Sequence, residues 1–268
     1  MSGKHWQLQI AEKSLKKKEK LNLLKKFLHT SQFERILDLG CAQGIISYFL
    51  RKNPGFWVSA DLDLSNLKSA QELIPERLIQ LGETVLPFAS GSLDQVVSLD
   101  FLEHLDDDMN CLKEIHRVLK PGGRFLLAVP RTGHGFFLHW LRPRLGMTLD
   151  VYGHKREGYA LKALKHKLQA SGLIFLKHKR FSGFLTEAAE LMLNVAYTRF
   201  LAPKENKKRR DGHIRPADAG EFQSRKTALR LYSLIHPLIW LFTRADRLFF
   251  FQRGYALMVW AEKPSSDL

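Results

Sequence analysis

The sequence predicts an α/β fold, a doubly wound and mostly parallel sheet of seven strands whose last strand runs antiparallel. Between Arg35 and Pro130, short apolar segments of strand length alternate with helical segments. This alternation is typical of a parallel sheet with helices on both faces. The first predicted strand leads directly into a glycine-rich turn. Roughly 70 residues separate the last two predicted strands, which is far longer than a usual connection and indicates an insertion.

The chain begins with a basic segment at residues 1–30, which holds eight lysines and two glutamates. Within it, Leu21, Leu24 and Leu28 recur at helical spacing between lysines. The pattern predicts an amphipathic helix over residues 8–28 with a basic outer face.

The alternating elements follow in order along the chain. Strands are predicted at residues 36–40, 56–61, 77–81, 93–100, 124–130, 173–180 and 255–263. Helices are predicted at residues 45–52, 64–73, 109–120 and 159–172, where glycine and proline residues stop several of them. The predicted core therefore comprises residues 31–180 and 254–264.

Residues 181–253 form the predicted insertion, which is helical in pattern and both basic and apolar. Two candidate helices, 184–201 and 229–250, have wide apolar faces. The apolar stretch from Leu231 to Phe242 is shorter than the roughly 20 residues that span a bilayer. The loop Lys204–Pro216 concentrates positive charge. Two interpretations remain open, a cap over the site or an element that lies on an anionic membrane surface.

Composition excludes several classes of protein. Cys41 and Cys111 cannot form a disulfide framework or a zinc site of ordinary spacing, so no metal is expected. The polar start lacks the apolar core of a signal peptide, which predicts a cytoplasmic protein, peripheral on the inner membrane face if the insertion binds lipid. The formal net charge of +15 lies mainly in the two flanks. It indicates phosphate-bearing partners, either nucleic acid or anionic membrane.

The segment ILDLGCAQG carries the strongest chemical signal. Gly40 and Gly44 allow a tight turn and a close approach of the backbone to a ligand at the start of a helix. Asp61 ends the next predicted strand, about 20 residues further on, where a carboxylate can accept both hydroxyls of a ribose. The arrangement predicts a nucleoside-containing cofactor.

These residues also resemble a known family. The segments ILDLGCAQGIISYFL, VSADLDLSNLKSA and LPFASGSLDQVVSLDFLEHLDDDMNCLKEIHRVLKPGGRFLLAVP are similar to class I S-adenosylmethionine-dependent methyltransferases, which have a Rossmann-like fold. The most similar subgroup is type 11, with the ubiquinone and menaquinone biosynthesis enzymes. The resemblance covers residues 33–131, and more weakly 153–173.

The resemblance implies S-adenosylmethionine as the cofactor and assigns residues to it. Those residues are Asp38, Gly40, Cys41, Gly44, Asp61, Leu62, Glu83, Thr84 and Leu99. Asp38 either contacts the cofactor or orients the turn. Two departures stand out, Ala42 in place of the middle glycine and a one-residue shortening after Glu83 and Thr84, which affects the adenine contacts.

On the acceptor side, the resemblance places His104 and Tyr159 as candidate general bases, and His154 and Arg156 as candidate substrate contacts. The predicted reaction is methyl transfer to a small, hydrophobic or lipid-linked acceptor. Two alternatives remain, an RNA methyltransferase that uses the basic flanks and a non-catalytic binding module. The sequence determines neither the acceptor atom nor the oligomeric state.

Overall fold

The computed structural model describes residues 5–82, 84–133, 135–201, 226–248 and 254–265. Its centre is a seven-stranded sheet of order β3-β2-β1-β4-β5-β7-β6. The strands are β1 Arg35–Leu39, β2 Phe56–Asp61, β3 Leu78–Gln80, β4 Leu93–Leu99, β5 Leu119–Pro130, β6 Ile174–Phe181 and β7 Ala256–Glu262. Strands β1 to β5 pair in parallel, and β7 is antiparallel to both of its neighbours, β5 and β6. The predicted fold class is confirmed.

Helices cover the sheet and its carboxyl edge. They are α1 Trp6–Ala11, α2 Leu15–Phe27, α3 Ile45–Leu50, α4 Leu64–Gln71, α5 Asp108–Val118, α6 Phe137–Arg144, α7 Leu149–Tyr152, α8 Leu161–Ala170, α9 Phe184–Ala196 and α10 Lys226–Thr243. Short 3-10 turns lie at Leu102–His104 and Arg244–Leu248, and one π-helical turn at Tyr197–Leu201.

Two elements differ most from the predicted ones. The first helix is broken, because the Ser14 side chain accepts a hydrogen bond from the Lys17 backbone N–H at 3.3 Å and so caps a new helix, α2. Helix α5 ends at Val118, and β5 already includes the Pro121-Gly122-Gly123 turn.

The core lies on both faces of the central strands. One face packs under α5 and α8 through fully buried residues such as Leu112, Ile115 and Leu164. The other packs Ile36 and Val97 under Leu24 of α2. A buried leucine or isoleucine contributes about 1.5–3 kcal/mol, so these two layers fix the sheet rigidly. The carboxyl edge of the sheet is where parallel strands usually bind ligands, and this packing holds the strand ends there in fixed positions.

Helices α9 and α10 lie between β6 and β7 in the chain, where the insertion was predicted. Within the described ranges, no helix combines the length and the apolar character needed to cross a membrane.

Candidate active site

The glycine-rich turn follows β1 and is as tight as predicted. Gly40 and Gly44 have φ of +82° and +75°. The N–H groups of Gly40 and Cys41 donate to the Ala60 carbonyl at 2.8 and 3.0 Å. A Cβ atom on Gly40 would lie 2.4 Å from the Phe101 ring, so only glycine fits. The turn therefore presents bare backbone at the carboxyl edge of the sheet.

Asp61 ends β2 beside this turn and is only 6% exposed. Its carboxylate accepts the Ala42 N–H at 2.7 Å, the Asp63 N–H at 3.0 Å and the Asn66 side-chain amide at 3.1 Å. A carboxylate accepts about four hydrogen bonds, so one direction remains for a ribose hydroxyl. Binding both hydroxyls requires one of the present donors to move.

Asp38 lies beneath the turn and is buried. Burial raises its pKa to about 6, although the Ser47 hydroxyl donates to the carboxylate and opposes that shift. Since Ser47 lies in α3, this bond ties the strand to the helix that follows the turn. The geometry supports the orienting role of Asp38.

A small cavity lies next to the end of β1. It is lined by Leu39, Leu62, Leu81, Gly82, Thr84, Val85, Leu86, Phe101, Leu105, Cys111 and Glu114. Leu62 and Thr84, two of the predicted adenine contacts, both line this cavity, whereas Glu83 lies outside the described residues. The volume is about 20 Å³, room for one water molecule. The apolar walls suit a purine, but this volume is too small to hold one, so the cavity must widen to admit it.

Two other predicted cofactor residues, Leu99 and Cys41, have buried side chains. The Leu99 side chain packs in the core beneath α2, so only its backbone is available to a ligand. Burial raises the pKa of the Cys41 thiol far above its ordinary value, so the thiol stays neutral.

A larger cavity of about 200 Å³ opens beyond the ends of β4 and β5. Helices α2, α6, α7 and α9 form its walls. Its charged lining residues are Lys16, Asp100, Glu103, Arg142, Glu157, Glu187 and Glu190. The position next to the carboxyl ends of the strands makes it the candidate acceptor site.

Two lysines of α2 face inwards, Lys16 into this cavity and Lys20 towards Asp100, whereas the exposed lysines of the helix are Lys18, Lys25 and Lys26. Lys16 contacts Glu187 at 2.8 Å, and Lys20 pairs with Asp100. Arg142 contacts the other oxygen of Glu187 at 2.5 Å. Although burial opposes ionisation, the charges of Lys16 and Arg142 lower the pKa of Glu187 below its ordinary value. The N-terminal helix is thus joined to α6 and α9 by buried ion pairs.

Glu103 lies in the 3-10 turn after β4 and lines the same cavity. It is 0% exposed, and neither carboxyl oxygen has a hydrogen-bond partner among the described residues. Burial raises its pKa to about 8, and the neighbouring charge of Asp100 acts in the same direction. The sequence analysis missed this residue, although it precedes His104 in the quoted motif.

His104 and His154 stack edge to face, with ring centroids 4.7 Å apart. The Nδ1 atom of His104 lies 2.9 Å from the Gly153 carbonyl, which can only accept, so Nδ1 carries the proton. His154, a predicted substrate contact, lines the cavity. Burial lowers its pKa to about 4, and the neighbouring His104 adds to that effect. Through its contacts with Gly153 and His154, His104 therefore holds this segment in place.

Glu103, His104 and His154 each offer one ligand atom, and these atoms lie within 4.8 Å of one another. Imidazole and carboxylate groups are common ligands of divalent transition metals, so these three residues could hold such an ion. The sequence-based expectation of no metal considered only cysteines and closely spaced histidines, and could not reveal a group assembled from two segments.

Tyr159 and Arg156 lie outside the cavity lining. The Tyr159 hydroxyl donates to Asp108 at 2.7 Å, and Arg156 contacts the same carboxylate at 2.7 Å. Lys167 completes the group at 2.8 Å. Burial and the Asp108 charge raise the pKa of Tyr159 well above its ordinary value. Both side chains are committed to a structural network, so their predicted catalytic and substrate roles are not supported by this geometry.

Comparison with known proteins agrees with the architecture of this site. Residues 37–127 match the type 11 family described as a methyltransferase domain. Residues 37–127, about a third of the chain, are thus similar to S-adenosylmethionine-dependent methyltransferases, and S-adenosylmethionine is the cofactor that this similarity supports. The buried acid at Asp61, the bare backbone of the turn and the apolar walls beside them fit that cofactor.

Among curated relatives, the human mitochondrial arginine-hydroxylase NDUFAF5 is 37% identical over 36% of this chain and 29% of its own. A ubiquinone biosynthesis O-methyltransferase of Caulobacter sp. is 29% identical over 41% of this chain and 50% of its own. A 2-methyl-6-phytyl-1,4-hydroquinone methyltransferase of Synechocystis sp. is 32% identical over 47% and 43%. The chain thus spans half or less of the length of these relatives.

Solved structures share the fold at low identity. The phosphoethanolamine N-methyltransferase 2 of Haemonchus contortus, in complex with S-adenosyl-L-methionine, has a TM-score of 0.55 at 17% identity, over 91% of this chain and 52% of that one. The YcgJ protein of Bacillus subtilis has a TM-score of 0.58 at 18% identity, over 92% and 98%.

Proposed function

We propose that this protein transfers a methyl group from S-adenosylmethionine to a small hydrophobic or lipid-linked acceptor, and that it does so while lying on an anionic membrane surface. The donor side follows from the domain class. The acceptor side is supported most directly by the apolar face that α10 leaves exposed.

On the donor side, S-adenosylmethionine carries the methyl group on a positively charged sulfonium. After the transfer, the sulfur departs as a neutral thioether. Asp61 holds the ribose, the Gly40–Gly44 turn receives the methionine end, and Leu62 and Thr84 flank the adenine. Asp38 keeps the turn aligned through Ser47. Because alignment at near-attack distance is the main requirement for transfer, these residues contribute by orientation.

Helix α10 is oriented with its polar stripe towards the protein. His236 is buried, and the Tyr232 hydroxyl donates to the Lys13 carbonyl of the N-terminal segment at 2.9 Å. By contrast Leu234, Leu238 and Leu241 are 76%, 69% and 62% exposed. A cap over the site would bury these leucines. Their exposure favours a helix that lies in a membrane interface.

Two tryptophan and arginine pairs lie on the helices that pack on α9. The Arg244 guanidinium lies 4.8 Å from the Trp240 ring, and that of Arg144 lies 3.8 Å from Trp140 of α6. Both helices pack on α9, whose Glu187 and Leu191 line the cavity. Indole rings and arginines together suit the headgroup layer of an anionic bilayer. The basic loop Lys204–Arg215, which lies outside the described residues, adds positive charge to the same insertion.

Vesicle co-sedimentation tests the membrane claim. We expect the protein to bind vesicles that contain phosphatidylglycerol and to bind neutral vesicles weakly. Each exposed leucine contributes about 1.5–3 kcal/mol on burial, so the double variant Leu238→Glu/Leu241→Glu should bind at least about tenfold more weakly. Phe33→Glu is the matched control, because Phe33 is 84% exposed and precedes β1, at the opposite edge of the sheet. Equal loss in both variants would contradict a docking face on α10.

A labelling experiment tests the donor and the acceptor class. The protein is incubated with S-adenosylmethionine labelled in its methyl group and with a cell extract, and the mixture is then separated into organic, RNA and protein fractions. The Asp61→Ala variant serves as the blank. We expect label in the organic fraction that disappears in the variant. Label in RNA would favour the nucleic-acid alternative, and donor binding without transfer would favour a binding module.

A further inference from the structure

We infer that the outer edge of β6 binds an extended acidic segment of a partner protein, which adds to the sheet as a further strand. The inference goes beyond the proposed methyl transfer, because no residue of β6 lines either of the two cavities described above.

Strand β6 is the last strand of the sheet on one side. Among the described strands it pairs with β7 alone, over the eight residues Ile174–Phe181. No hydrogen bond from another described residue reaches the outward backbone groups of this strand. The unpaired N–H and C=O groups of an edge strand are a template for one more strand. The edge of β6 is long enough for this, because strands usually have 5–6 residues.

One face of this edge is basic. Lys177 lies opposite Trp260 in the register with β7, and Lys179 lies two residues further along β6. Since Trp260 packs against the core layer beneath α2, both lysines lie on the α2 face of the sheet. The Lys177 ammonium lies 5.2 Å from the Phe27 ring and 5.3 Å from the Trp260 ring. Both lysines are exposed, so their charges are available to a partner.

The opposite face of the same edge is basic as well. His178 and Arg180 alternate with these lysines, and their partners on β7 belong to the core layer under α5 and α8. Burial lowers the pKa of His178, and the positive charges of Arg180, Lys165, Arg131 and Lys179 lower it further. No acidic side chain is among the described charges that act on His178.

These charges are not neutralised within the described residues. Lys165, Lys177, Lys179 and Arg180 form no ion pair there. Lysines on an edge strand usually prevent pairing with other copies of the chain. Here they also select the charge of any strand that does pair, because like charges directly opposite each other are unfavourable and opposite charges are favourable.

Positive charge on both faces of one strand identifies the kind of partner. A strand that pairs with β6 projects its side chains to both faces of the sheet, where each set meets basic groups. A lipid surface or a nucleic acid could use the charges but not the backbone groups. A second copy of the chain could use the backbone groups but would place basic residues opposite one another. An extended acidic segment satisfies both.

Binding of a synthetic peptide to the full-length protein tests the inference. The probe is a fluorescently labelled octapeptide of glutamate, threonine and valine, with acidic residues on both faces of the extended strand. One control peptide has lysine in place of glutamate. Another keeps the acidic sequence but is N-methylated at four successive central residues, which removes the N–H donors on both of its edges. In fluorescence anisotropy we expect saturable binding of the probe that weakens with salt, and binding of both controls at least about tenfold weaker.

Charge reversal locates the site. Lys179→Glu/Arg180→Glu should weaken binding of the acidic peptide at least about tenfold, because attraction becomes repulsion on both faces. Lys68→Glu/Lys113→Glu is the matched control, since it changes the net charge equally at two exposed positions in α4 and α5, and it should bind within about twofold of the wild type. Both variants should melt near the wild-type temperature. Amide hydrogens of β6 should exchange more slowly when the peptide is bound.

Three results would overturn the inference. The first is no binding of the acidic peptide, and the second is equal binding of its N-methylated form, which would reduce the contact to surface charge. The third is equal loss in both double variants. RNA or phosphatidylglycerol vesicles that bind in place of the peptide, and lose affinity in Lys179→Glu/Arg180→Glu alone, would assign this edge to that partner instead. S-adenosylmethionine binding, measured by calorimetry, tests the proposed function separately from all of these outcomes.

Discussion

Replacing Glu103 by Gln should stabilise the protein, and the gain should grow with pH. Burial raises the pKa of Glu103 from its ordinary 4.5 to about 8 in the folded state. Between these values the unfolded chain gives up a proton that the folded protein keeps, so the wild type loses stability as pH rises. Each pH unit costs about 1.4 kcal/mol, which amounts to about 5 kcal/mol at and above pH 8.

Glutamine has the same shape as glutamate and no charge, so the stability of the variant does not fall in this way as pH rises. The difference in the free energy of unfolding between Glu103→Gln and wild type should be near zero at pH 4.5 and reach about 5 kcal/mol at pH 8. The difference is measured by urea unfolding of both proteins, monitored by circular dichroism at several pH values between 4.5 and 8. A difference that does not change with pH, or a variant that is less stable at pH 8, would refute the reasoning.

Glu187→Gln is the matched control, since it makes the same substitution in the same cavity. The Glu187 carboxylate is paired with Lys16 and Arg142 and also accepts from the Ser182 hydroxyl at 2.6 Å. Its pKa is lowered, so its stabilisation is present above pH 4.5 and is lost as pH falls through the folded-state value. Removing this charge should cost about 3–5 kcal/mol at neutral pH, the opposite sign from Glu103.

Three further predictions concern the rest of the site. Asp61→Ala should weaken S-adenosylmethionine binding by about 1.5–3 kcal/mol in a calorimetric titration, the scale for hydrogen bonds to a charged group, and unchanged affinity would remove its assignment. Tyr159→Phe should lower the free energy of unfolding by about 1–3 kcal/mol and leave kcat nearly unchanged, because the Tyr159 hydroxyl donates a hydrogen bond to Asp108. A large drop in kcat with normal stability would instead indicate that Tyr159 is catalytic. Ala42→Gly should raise stability by about 1 kcal/mol in thermal melts, since Ala42 has φ of +46°; a loss of stability would show that this turn is unstrained.

The succession of strands and helices, the turn and the acid at Asp61 could be predicted because each leaves a local mark in the sequence. Alternating apolar segments specify a parallel sheet, and a glycine pair after a strand specifies a left-handed turn. The antiparallel β7 and the insertion before it were visible as a long gap between two strand patterns.

The acceptor side could not be predicted in the same way, because its geometry depends on long-range contacts. The lysine spacing of α2 is compatible with a solvated face, and nothing local indicates that Lys16 meets Glu187 from α9. The residue type and location of Tyr159 indicate a general base, whereas its partner Asp108 lies about 50 residues earlier in the chain, at the start of α5. The burial of Glu103 depends on the fit of α2, α7 and α9 over the cavity, which local pattern does not encode.

The most direct test of methyl transfer at a membrane surface is the initial rate of labelled transfer to a catechol with a long alkyl chain, carried either in phosphatidylglycerol vesicles or in detergent. We expect the wild type to methylate it in both. The Leu238→Glu/Leu241→Glu variant should lose at least about tenfold in rate with vesicles and keep its rate in detergent. No transfer in either medium by protein that binds S-adenosylmethionine would contradict the central claim.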